Sequence, residues 1–122
     1  MNWRQAIAHT YGMVSMIDNC IGRLLAQLEA QGLAEDTLII FTSDHGELLG
    51  DHGLIRKGPS PYRPLLHVPL VIAGPGVAPG TRKGVTSHLD LRATLQAHLG
   101  LENRRHDGQS FQAMLTAADA CG

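Results

Sequence analysis

Apolar positions in the first quarter of the chain recur at steps of three and four. Ile7, Tyr11, Val14, Ile17, Ile21, Leu24 and Leu28 draw one stripe, which predicts a long amphipathic helix from about Gln5 to Gln31. Gly32 stands where a left-handed cap ends such a helix. The rhythm then changes. Glu35 and Asp36 turn the chain into four bulky apolar residues, Leu38 to Phe41. A short apolar run bounded by polar residues reads as a strand buried on both faces, as in a parallel sheet. From Glu47 to Pro69 a long irregular loop is expected, because Gly50, Gly53, Gly58, Pro59, Pro61 and Pro64 break regular structure. Loops of that length inside compact domains are usually functional. Leu70 to Ala73 reads as a second short buried strand, closed by Gly74-Pro75-Gly76, and Pro79-Gly80 marks another turn. Thr86-Ser87 leads into a helix with Leu91, Leu95 and Leu99 as its stripe, Asp90 in its first turn and Gly100 at its end. Asp107-Gly108 turns the chain again, and Ser110 is placed to cap a short last helix.

Helix, strand, long loop, strand, helix is an α/β order. Two strands do not make a doubly wound sheet, and a central strand standing alone would leave apolar faces and an edge uncovered. The pattern is that of a portion of a larger domain. A length of 122 residues allows one domain at most. Lys plus Arg number 10 against 11 for Asp plus Glu, which steers the chain to neither nucleic acid nor an anionic membrane. Cys20 and Cys121 show no metal or redox spacing. The N-terminus lacks a signal-peptide core and no apolar run approaches the ~20 residues of a membrane span, so a cytoplasmic location is the default expectation. For any longer parent the compartment stays unknown.

The chemistry gathers where the first strand stops. Asp44, His45, Glu47, Asp51, His52 and Lys57 follow within sixteen residues of Phe41, at the kind of strand end where α/β proteins bind ligands. Neighbouring strand residues point to opposite faces, so Asp44 and His45 can share an ion only if the strand has ended, and Gly46 gives the backbone freedom to turn there. Two ligands are too few, since calcium takes about six to eight oxygens and catalytic zinc about three protein ligands. No acidic pair at a second strand end supplies the rest.

Ser43-Asp44-His45-Gly46-Glu47, Gly50-Asp51-His52-Gly53-Leu54, Lys57-Gly58-Pro59 and Val68-Pro69-Leu70-Val71-Ile72, in that order and spacing, resemble the C-terminal part of the sulfatase catalytic domain. The sulfatases belong to the alkaline-phosphatase-like superfamily, with related phosphonate and phosphate ester hydrolases. Gly12 to Leu25, Ser87-His88-Leu89-Asp90-Leu91 and Ala93-Thr94-Leu95 extend the resemblance over about Tyr11 to Ser110. It implies a portion of an alkaline-phosphatase-like sandwich with a mostly parallel sheet flanked by helices, so that residues 1–122 are a partial catalytic domain. Asp44 and His45 match the metal-ligating pair, for which calcium is usual and manganese, magnesium or zinc occur in phosphonate-type relatives. His52 matches a histidine facing the sulfate or leaving group, and Lys57 a lysine that holds a sulfate oxygen. Glu47 and Asp51 take the place of groups orienting the two histidines. His67 stands where the family more often has Arg.

The family's formylglycine nucleophile arises from Cys or Ser in a Cys/Ser-x-Pro/Ala-x-Arg signature. Cys20 is followed by Ile21-Gly22-Arg23 and Cys121 only by Gly122, so neither fits. The nucleophile and the remaining metal ligands are expected in an N-terminal half outside this chain. Three functions therefore stand open: a sulfuric ester hydrolase portion, a phosphonate or phosphate ester hydrolase portion, and a non-catalytic remnant. The expected partners are a sulfate or phosphate ester and, for the unpaired strands, a second copy or an upstream fragment.

Overall fold

The computed structural model describes residues 2–101 and 107–117, so Cys121 lies outside the described residues. The chain divides into two compact units, Met1–Gly74 and Pro75–Gly122. The first unit opens with helix α1, Trp3–Ala30, capped by Asn2, whose side chain accepts from the Gln5 amide. It starts two residues earlier than the apolar stripe requires because Asn2 supplies the cap. Gly32 adopts φ 68°, and the amides of Gly32 and Leu33 reach back to the carbonyls of Glu29 and Leu28. That is the left-handed C-terminal cap the glycine predicts. No residue of α1 is buried, and Tyr11, Val14, Ile17 and Leu24 of its stripe are exposed.

Strand β1 runs Ile39–Thr42 and β2 Leu70–Ala73. They pair antiparallel, Ile39 opposite Ala73 and Thr42 opposite Leu70. Among the described residues this two-stranded ribbon is the sheet, and a parallel sheet is not present. The expectation of strands buried on both faces fails with it: Phe41 is exposed in β1, and in β2 only Ile72 is half-buried. Burial of a β-strand face needs a second layer, and no other described element forms strands here. Gly74 follows β2 at φ 133°, and a side chain there would collide with the Thr37 carbonyl ahead of β1.

The segment 47–69 is less irregular than its glycines and prolines suggest. A 3-10 turn spans Asp51–Gly53, and a single helical turn, α2, spans Arg63–Leu66. Pro64 lies in the first turn of α2, where its missing N–H costs nothing. The buried hydrophobic residues of this unit are Leu48 and Leu65, one from each end of the segment.

In the second unit α3 spans His88–His98 and α4 Gln112–Thr116. A capping box starts α3: the Ser87 amide and hydroxyl donate to Asp90 at 2.7 and 2.9 Å. Asp90 also accepts from the Gln109 amide at 2.7 Å, which fastens the turn at 107–108 to the helix start. These donors, Gln109 first, hold the Asp90 carboxyl below its ordinary range. Gly100 ends the helix at φ 64°. The face that α3 buries is Ala93 and Thr94, not the Leu91, Leu95 and Leu99 stripe, of which Leu99 is exposed. Thr94 is 2% exposed because its hydroxyl donates to the Asp90 carbonyl at 2.8 Å and accepts from the Phe111 amide at 2.9 Å. Phe111 and Leu115 complete this small core. Phe111, rather than Ser110, is the N-cap of α4, although the Ser110 hydroxyl accepts from the Gln112 amide at 3.2 Å. Arg82 closes the other end of α4, its guanidinium donating to the carbonyls of Met114 and Ala117.

Candidate active site

Strand β1 ends at Thr42, and the chain turns at once. The Ser43 hydroxyl donates to the His45 carbonyl at 2.8 Å, while one Asp44 oxygen accepts from the His45 amide at 2.9 Å. These two bonds curl residues 43–45 so that adjacent side chains meet on one side. The other Asp44 oxygen lies 3.5 Å from His45 Nε2. Two donors bound to one cation at about 2–2.6 Å each lie roughly 3–4 Å from one another, and a 3.5 Å separation falls in that range. Among the described residues no group of three or more His, Cys, Asp or Glu converges on one point. The pair fits a divalent ion as two of its ligands and leaves the others to be supplied from outside the described residues.

For a neutral ring, two contacts select the same tautomer of His45. Nδ1 lies 2.8 Å from the Gly46 carbonyl, which only accepts, so Nδ1 carries the proton. Lys57 Nζ lies 3.0 Å from Nε2, and an ammonium only donates, so Nε2 carries the lone pair. The nitrogen facing Asp44 and Lys57 is therefore the one able to bind a cation. Asp44 titrates below its ordinary range, first because of the His45 amide and then through attraction to the His45 ring, with Lys57 adding a smaller share. Its side chain is largely exposed, and that of His45 about two-fifths so.

Gly46 ties this turn to α2. Its amide donates to the Leu65 carbonyl at 2.9 Å, and a side chain at Gly46 would collide with the Pro64 carbonyl oxygen. Glu47 then turns back on its own loop, accepting from the amides of Leu48 and Leu49 at 3.0 and 3.4 Å. It does not orient His45; the Gly46 carbonyl does. Nothing in the sequence marks a backbone carbonyl for that role.

Beyond Leu48 the backbone makes repeated left-handed steps, at Leu49, Gly50, His52, Gly53 and Arg56. His52 at φ 55° belongs to a residue type enriched there, and its ring stacks on Tyr62 with centroids 3.9 Å apart and planes 17° off parallel. His52 is held by this stack. It lines an open cleft of about 480 Å³ together with Asp51, Arg63, Pro64 and His67. Asp51 opens the turn before His52 and also faces this cleft. Of the sequence-predicted site residues, the fold brings Asp44, His45 and Lys57 together and holds His52 on Tyr62. Arg63 and His67, a surface charge and an unassigned histidine in the sequence, enter through the cleft.

A short strand, an acid–imidazole turn and a lysine twelve residues on define a class. The Sulfatase family model matches residues 2–101, and the chain belongs to the sulfatase family. It is 38% identical over 122 residues to a choline-sulfatase of Rhizobium meliloti, with 97% of this chain and 24% of that protein covered. It is 40% identical over 119 residues to the multifunctional alkaline phosphatase superfamily protein PehA of Trinickia caryophylli, covering 92% of this chain and 22% of that protein. The crystal structure of the phosphonate monoester hydrolase of Agrobacterium radiobacter superposes with a TM-score of 0.81 at 39% identity, over 92% of this chain and 23% of that one. The chain spans about a quarter of the length of these relatives. Among the described residues no helix is long and apolar enough to cross a membrane.

Proposed function

We propose that this chain is the part of a sulfatase catalytic domain that supplies two ligands of a divalent cation and the cation that holds the ester. Asp44 and His45 are the ligands, Lys57 grips the nonbridging oxygens of a sulfuric ester, and His52 faces the leaving group. The position of His45 Nε2, 3.5 Å from an Asp44 oxygen and 3.0 Å from Lys57 Nζ, carries the reading. A divalent ion, calcium by family preference, would add Lewis-acid stabilisation of the ester's charge when bound. The chain's own contribution is positional. Lys57 has two kinds of acceptor within reach, the His45 lone pair and an incoming ester oxygen, and its three N–H groups let it exchange one for the other without moving its backbone. An ammonium placed there stabilises charge that develops as the ester bond breaks. The nucleophile, formylglycine in the family, and the remaining ligands belong to residues outside this chain.

A titration of the labelled chain with Mn2+, followed by Ca2+ displacement, tests the ligand assignment. Resonances of Asp44 and His45 broaden first and recover with calcium, and Asp44→Asn with His45→Ala abolishes the effect. Broadening that begins elsewhere overturns it.

A phosphonate or phosphate ester substrate is the second reading. Identity to the phosphonate monoester hydrolase is 39% against 38% to the choline-sulfatase, so similarity favours neither. Aryl sulfate and phenylphosphonate monoester assayed side by side on a protein carrying the whole domain separate the two. Turnover of neither, with metal bound, leaves the non-catalytic remnant.

A further inference from the structure

The cleft around His52 has a composition that the ester-holding group does not use. Its lining contains one permanent positive charge, Arg63, one carboxylate, Asp51, two imidazoles, His52 and His67, and the ring of Pro64. Arg63 and Asp51 line the same space without forming an ion pair among the described residues, and the Arg63 side chain is exposed. A guanidinium left without a carboxylate keeps its planar fork of donors for a ligand, and that fork matches a carboxylate with two parallel hydrogen bonds. The histidine rings add donors of adjustable charge on either side. Pro64 and the His52–Tyr62 stack offer flat apolar surface beside them, the partner that a ring prefers. A volume of about 480 Å³ lies within the range of small-molecule sites.

We propose that this cleft is a specificity subsite for a carboxylate carried on a ring of the alcohol half of the substrate, with Arg63 as its main contact and His67 beside it. The proposal deepens the sulfatase-type reading, since His52 joins the two: it lines the cleft and is the residue assigned to the leaving-group side. Arg63 binds the acid, Pro64 and the stacked His52 ring cover the face of the ligand, and Asp51 sets an upper limit on how much negative charge the cleft accepts.

The test uses the chain itself with 4-carboxyphenyl sulfate and 4-nitrophenyl sulfate as probes, read by the ring C2–H signals of His45, His52 and His67. The carboxylate probe shifts His52 and His67 saturably and binds about tenfold tighter than the nitro probe, the size of one charge-assisted contact at a partly solvated site. Arg63→Gln removes that tenfold preference while the rest of the amide spectrum stays unchanged, because the Arg63 side chain is exposed. Asp51→Asn strengthens binding of the carboxylate probe. Equal affinity for the two probes, or a preference that survives Arg63→Gln, overturns the subsite. Benzoate, which carries no sulfate, separates this failure from that of the sulfatase reading. Arg63-dependent shifts with benzoate, while neither sulfate ester moves His45, keep the cleft and sink the ester-holding role of Lys57. Shifts at His45 with no carboxylate preference do the reverse.

Discussion

Gly46→Ala is the sharpest single perturbation of the site. Gly46 has no positive φ, so alanine meets no backbone strain, and at an open position of that kind the change would stabilise by about 0.4–1 kcal/mol. The obstacle is steric: the added methyl would lie inside the Pro64 carbonyl oxygen, backbone against backbone, where no side chain can swing away. Relief requires the turn at residues 45–46 to separate from α2. That breaks the 2.9 Å bond from the Gly46 amide to the Leu65 carbonyl, about 1 kcal/mol. It also exposes Leu65, now 5% exposed, at about 1.5–3 kcal/mol for a leucine side chain. Less the gain of about 0.4–1 kcal/mol, the expected loss is about 1.5–3.5 kcal/mol, with the sign opposite to that of an unhindered Gly→Ala change. Urea unfolding followed by fluorescence of Trp3, the one tryptophan in the sequence, reads it, because that indole lies against Gly50 in the same unit. Gly12→Ala is the control: it lies in α1 with nothing within 4 Å and should stabilise by about 0.5–1 kcal/mol. Hydrogen exchange at the Gly46 amide should accelerate only in Gly46→Ala. If that variant unfolds within 1 kcal/mol of the parent chain with residue 46 still protected, the tie between the Asp44–His45 turn and α2 has been misjudged.

Three further outcomes follow from the same contacts. Asp90 is held below its ordinary value of 3.8 in the fold, so its contribution to stability is complete above that value and is lost as pH falls through the lower folded one. Thermal melts of the parent chain should therefore lose stability below about pH 4, and Asp90→Asn should flatten that loss. Lys57→Ala in a protein carrying the whole catalytic domain should lower turnover by about two to three powers of ten, and an unchanged rate returns Lys57 to the surface. The chain by itself should show no aryl sulfate turnover, with or without calcium, and should associate in solution through α1; Val14→Glu with Ile17→Glu, both exposed now, should shift sedimentation toward the monomer.

The parts of this fold that were legible in the sequence are those set by local geometry. Gly32 and Gly100 end helices, and Asp90 sits in the first turn of α3, because each needs only its near neighbours, and each sits where the pattern put it; the box that Asp90 makes with Ser87 appears only in the fold. Asp44, His45 and Lys57 stand in motif blocks at family spacing, and the fold sets His45 Nε2 3.5 Å from Asp44 and 3.0 Å from Lys57; their proposed roles still rest on the resemblance. What escaped depends on partners far along the chain. Antiparallel pairing of Leu70–Ala73 with Ile39–Thr42 follows from which strands are available, a property that neither strand's composition encodes. The Ala93–Thr94 face of α3 escaped because a hydroxyl satisfied by Asp90 and Phe111 buries as readily as a leucine, and hydropathy does not register that satisfaction. The α2 turn escaped because Pro64 reads as a breaker unless its position within the first helical turn is known.

The contact between Lys57 and His45 closes a loop of only twelve residues. Chain segments of about ten residues meet on a scale of 10–100 ns, and the entropy of closing so short a loop is small beside that of joining distant strands. The Gly46–Leu65 bond adds a second closure of similarly modest span. This cluster therefore has low contact order: its geometry is written into one contiguous segment, residues 43–65. A ribosome that has released this segment has already released everything needed to set Asp44, His45 and Lys57 against one another. Any group that joins these three from farther along a chain closes a longer loop and arrives later.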